Sequence, residues 1–163
     1  MNTQIEEIDQ LTRQAVQEVF QSMLSMQVTP EPPTPLAADP GGEIIGSVAF
    51  IGEATGIIYL YAGAGFARVI TGLLLGIAEA EVDSGEMVTD AIGELSNMVA
   101  GYVKSRLCDS GWPCVLTIPS VVRGQQLSVE CPAQTTRRVI GFRNCKYHLL
   151  AEIMLKDSIA KKL

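Results

Sequence analysis

Gly42 to Ala62 reads GEIIGSVAFIGEATGIIYLYA. Two runs rich in β-branched and aromatic residues, GEIIGSVAFIG and ATGIIYLYA, flank a glycine-bounded turn at Gly52–Gly56. The pattern predicts a β-hairpin. Directly before it, Thr29 to Gly42 reads TPEPPTPLAADPGG, whose five prolines and two glycines predict a stiff, extended linker without regular structure over 29–42. Before that, apolar residues at Ile5, Ile8, Leu11, Ala15, Val16, Val19, Phe20, Met23 and Leu24 recur at helical spacing. They predict one amphipathic helix over 3–27.

After the hairpin, GAGFARVITGLLLGIAE predicts a second helix at roughly Phe66 to Ile77. EAEVDSGEM follows, and Asp83 with Glu86 has the spacing of a capping box that would start a third helix. That helix is expected to reach about Cys108, where the breakers in DSGWP close it. The last third is strand-like again, in PCVLTIPSVVRGQ, QLSVEC, RRVIGF and KYHLLAEIML. Four strands joined this briefly are expected to form an antiparallel meander. The expected fold is therefore α/β in the α+β sense: a mostly antiparallel sheet of about six strands covered by three long helices. The chain of 163 residues is read as one domain, with the sheet and third helix in 43–163.

Composition excludes several classes of function. Hydrophobic residues make up 47% and charged residues 18%, a globular balance. Mean hydropathy is positive, yet no run of about 18 apolar residues exists, and Arg68 and Glu79 bracket the most apolar stretch. A membrane partner is not expected. The start, MNTQIEEIDQ, is polar and acidic, unlike a signal peptide, which points to the cytoplasm. A net charge of −6 without basic clusters speaks against nucleic acid. Cys108, Cys114, Cys131 and Cys145 form no CxxC pair and His148 is the sole histidine, so a zinc site is not expected. The thiols are read as reduced and mostly buried, and His148 as a strand residue.

The third helix carries the chemistry. Asp90 to Leu107 reads DAIGELSNMVAGYVKSRL. At ~100° per residue, Val88, Ile92, Leu95, Val99 and Val103 make a core stripe. Asp90, Gly93, Glu94, Asn97, Gly101 and Lys104 fall on the opposite side. Each helical glycine costs ~1 kcal/mol against alanine, so something must offset Gly93 and Gly101. Three readings fit the face. It is a solvated surface, a close-packing seam against another helix, or an open surface where a partner docks. Glu94 and Asn97 are three residues apart and so adjacent. A carboxamide both donates and accepts hydrogen bonds and can hold a water for attack, as a glutamine does in phosphoryl-transfer enzymes.

DAIGELSNMVAG resembles the signature helix of the CheC/CheX/FliY family of chemotaxis phosphatases, with Asp, Glu and Asn at Asp90, Glu94 and Asn97. VQEVFQSML, the hairpin and TIPSVVRGQ resemble CheX blocks in the same order. One copy of the motif favours CheX over CheC, which carries two. The resemblance implies dephosphorylation of the phosphoaspartate on a CheY-like receiver domain. Glu94 would pair with the receiver's lysine, and Asn97 would enter its site and position the attacking water. Asp90, Gly93, Gly101 and Lys104 would belong to the partner-binding surface. The resemblance also implies no metal or cofactor in this chain, since the Mg2+ belongs to the receiver, and a homodimer in which the sheets join edge to edge. A non-catalytic module of the same fold, binding a receiver or a motor component, is the alternative.

Overall fold

The structure, a computed structural model, describes residues 3–157. Helix α1 spans Thr3–Leu24, and strand β1 follows at Thr29–Glu31. Strands β2 (Glu43–Gly52) and β3 (Gly56–Gly63) form the expected hairpin, pairing from Glu43 with Gly63 to Phe50 with Gly56. Helices α2 (Ala64–Leu75) and α3 (Gly85–Asp109) come next. Strands β4 (Cys114–Leu116), β5 (Ser120–Gly124), β6 (Thr135–Asn144) and β7 (Tyr147–Lys156) complete the described chain. The seven strands form one antiparallel sheet in the order β1-β6-β7-β3-β2-β4, with β5 also on β2. The class is the expected one: an antiparallel sheet with three helices.

The core lies between the sheet and the helices. Ala15, Val16, Val19, Phe20 and Leu24 of α1 are buried, as the periodicity predicted, and Met23 is exposed. Phe20, Phe50 and Phe142 are fully enclosed. Burial of each such side chain contributes ~1.5–3 kcal/mol. Helix α2 ends where Gly76 takes φ 69°, a left-handed cap that closes the helix at Leu75, just short of the expected Ile77.

Four expectations are corrected. The linker is not wholly irregular, because Thr29–Glu31 pairs with β6. A proline is tolerated there because β1 is a sheet edge. Arg143 donates to Glu31 at 2.9 Å, and the Asn144 amide donates to the Gln27 carbonyl at 2.7 Å. Farther along, the Asp39 carboxylate accepts from the N–H groups of Gly41 and Gly65, each at 2.8 Å, which ties the linker to the start of α2. Second, α3 is capped by Ser84 rather than Asp83: the Ser84 hydroxyl accepts from the Met87 N–H at 3.2 Å.

Third, the last four strands are not a meander. PCVLTIPSVVRGQ divides into β4 and β5, both on β2, while β6 and β7 form a hairpin on β3. QLSVEC forms no strand, since the Leu127 N–H goes to the Glu43 carboxylate at 3.1 Å instead of to a ladder partner. The loss of QLSVEC, the division of β4 from β5 and the addition of β1 together bring the expected six strands to seven. Fourth, of the four free cysteines Cys114 is buried and Cys108 half-buried, but Cys131 and Cys145 are exposed. His148 is a strand residue on β7, its Nε2 lying 2.9 Å from Glu31 Oε1 and 3.0 Å from Arg143 Nη2. Among the described residues no helix is long and apolar enough to cross a membrane.

Candidate active site

The phase of α3 fixes which of its side chains meet solvent. Val88, Ile92, Leu95, Val99 and Val103 are all buried, so the predicted stripe is the packed one. Asp90 and Glu94 are exposed, and Asn97, Gly101 and Lys104 are half-buried on the outward side. Among the described residues, the side chains of Glu94 and Asn97 have no hydrogen-bond partner in the fold. Exposed and half-buried, the two groups are open to water or to a partner.

The depth of α3 is set from below by two residues that the helical wheel did not single out. Ser96 is 1% exposed and donates to the Ile92 carbonyl at 2.7 Å. Its hydroxyl fits only because the residue beneath it on β2 is Gly46, where a Cβ would collide with Ser96 Oγ and approach Ile92. A lone glycine inside a strand pattern signals such a close approach. The α3 backbone therefore sits low on β2, which carries Glu94 and Asn97 at a fixed height above the sheet.

The two glycines of the face differ. Nothing lies within 4 Å of a Cβ placed on Gly101, so the helix backbone is approachable there. Gly93 is buried, and a Cβ there would meet Val121 Cγ2 at 3.5 Å and Pro119 Cβ at 3.7 Å. Both distances are ordinary van der Waals contacts, so Gly93 is a position covered by β5 and the segment joining β4 to it, rather than open clearance. That segment is a β-bulge. Leu116 pairs with Phe50 and Ser120 with Ser47, so the three residues 117–119 oppose only Val48 and Ala49. Thr117 anchors it: its N–H donates to the Ala49 carbonyl at 2.8 Å, and its Oγ1 accepts from the Ala49 N–H at 3.1 Å.

The exposed face offers a carboxylate, a carboxamide one helical turn on, and bare backbone another turn beyond. Its chemistry is positioning and hydrogen bonding; no nucleophile with an adjacent base stands there. Among the described residues no group of three or more His, Cys, Asp or Glu side chains is arranged to hold a metal ion. Glu152, the one buried acid among the described residues, is occupied elsewhere: it accepts from Tyr61 at 2.6 Å and from Arg137 Nη2 at 3.0 Å.

Comparison with known proteins places this helix in a recognised setting. The family model described as chemotaxis phosphatase CheX matches residues 44–143, which run from β2 into β6 and include all of α3. A chemotaxis protein CheX from Desulfovibrio desulfuricans superposes with a TM-score of 0.77 at 22% identity, covering 91% of this chain and 99% of that one. A CheC-like superfamily protein from Shewanella sp. PV-4 gives 0.76 at 25% identity, covering 95% and 99%. A CheX–CheY–BeF3–Mg2+ complex from Borrelia burgdorferi gives 0.74 at 17% identity, covering 90% and 96%. A comparison with curated proteins finds no significant match.

Proposed function

The chain belongs to the CheX family of chemotaxis phosphatases, and from that premise we propose that it hydrolyses the phosphoaspartate of a CheY-like receiver domain. The observation that carries the proposal is the unpaired Glu94 and Asn97 pair on the outward face of α3, with open backbone at Gly101. That a protein of related fold has been captured in a complex with CheY supports this reading.

The division of labour follows from the side chains. Asn97 reaches into the receiver's phosphorylation site, where its carboxamide accepts from a water and holds it in line with the phosphorus. Water forms the new P–O bond as the bond to the receiver's aspartate breaks; the products are inorganic phosphate and the free carboxylate. No covalent bond to this chain is needed. Positioning of this kind contributes on the order of several kcal/mol to barrier lowering. Glu94 pairs with a lysine of the receiver and fixes the register of the two proteins, with Asp90 a turn earlier and Lys104 beyond Gly101 at the margins of the contact. The Mg2+ required by the phosphoryl group is carried by the receiver, and the reaction takes place in the cytoplasm. The free edge of β5 offers unpaired backbone groups through which two copies could join as a homodimer.

The test is the decay of phosphate from purified receiver domains of the same organism, with and without the protein. Faster decay for one receiver supports the proposal. Unchanged decay for every receiver overturns it, and binding without acceleration assigns the chain to the non-catalytic alternative.

A further inference from the structure

We propose that Ile118 is an apolar anchor that seats the receiver domain on the Glu94–Asn97 face and so sets substrate affinity. The inference rests on the phosphatase reading and adds a contact outside the signature helix. At 87% exposure, Ile118 is the most solvent-exposed large apolar side chain among the described residues. An isolated exposed isoleucine is ordinary; its placement is not.

Ile118 lies within the bulge, the device that inserts a residue to re-aim a side chain beside a site. Both neighbours are pinned. Thr117 exchanges two hydrogen bonds with Ala49, and Pro119 lies against Gly93. Ile118 is thereby presented on fixed backbone, which lowers the ordering cost of binding. From β4, which follows the end of α3, the chain runs back along the helix to Gly93. Asn97 and Gly101 fall between those two points, so Ile118 is on the Asn97 side of Gly93. Gly93 itself precedes Glu94 in sequence. A partner whose phosphorylation pocket receives Asn97 is thus brought to Ile118 as well. The occupant is the same receiver domain that the Glu94–Asn97 face engages, held there by an apolar contact beside the polar pair. A second copy of this chain fits less well, because the bulge and Pro119 interrupt the ladder at this point of the edge.

The experiment is saturation kinetics of Ile118→Ala, Ile118→Asp and Ile118→Leu with the phosphorylated receiver that the wild type dephosphorylates, with light scattering of each variant. KM is expected to rise ~10-fold for Ala and more for Asp, with kcat within ~2-fold of wild type, Leu near wild type, and unchanged mass. An active wild type whose KM is unchanged in I118A and I118D overturns this inference alone. A loss of mass in I118D assigns the residue to self-association and also overturns it. A wild type inactive toward every receiver removes the phosphatase reading and this inference together.

Discussion

Glu94 and Asn97 were readable from the sequence because five buried residues fix the helix phase. Once Val88, Ile92, Leu95, Val99 and Val103 face the core, the acid and the amide have no other direction to take. Gly93 was not readable, because what covers it is decided by a bulge far along the chain. In the proposed docking, Glu94, exposed and without an intramolecular partner among the described residues, would act through its charge. The wild type should therefore show a KM for the phosphorylated receiver that rises with salt, and Glu94→Gln should raise KM ~10-fold at low salt while flattening that dependence. Steady-state kinetics across an ionic-strength series reads both. An unaltered salt dependence in E94Q would remove the lysine-pairing role.

At the scale of elements, the proposed activity would depend on the crossing of α3 over β2. Gly46→Val should push Ser96 and Ile92 off the sheet, with overpacking that costs about 1–3 kcal/mol in chemical denaturation and a matching loss of phosphatase rate. Ser96→Gly in the same chain should restore much of both, a coupling that independent sites would not show. Elements with strong internal periodicity, α1, the β2–β3 hairpin and α3, could be seen in the sequence. Strand β1 could not, since the extended Thr29–Glu31 becomes a strand only by pairing with β6, where Arg143 and Asn144 hold it. Nor could the division of β4 from β5. A run of β-formers looks continuous until the register against β2 shows the extra residue.

For the whole molecule, the sheet order followed from no local signal. It joins the N-terminal strand to β6 and places the buried Glu152 of β7 between Tyr61 of β3 and Arg137 of β6. Burial first, then the Glu152 carboxylate, holds the Tyr61 hydroxyl above its ordinary value of 10.0. The sign follows: as pH rises past about 10, the unfolded chain loses this proton while the folded chain keeps it, so stability falls. Urea denaturation between pH 8 and 11 should show that fall in the wild type, and Tyr61→Phe should lessen its slope.

The central claim is that a folded domain whose Glu94–Asn97 face carries no nucleophile completes the active site of another protein through one amide. It is tested most directly by comparing wild type and Asn97→Ala for the rate of phosphate loss from a receiver, alongside their melting temperatures and their binding to it. Faster loss with wild type, loss of ~100-fold or more of that acceleration in N97A, an unchanged melting temperature and retained binding are the expected results. An N97A protein as active as wild type would contradict it.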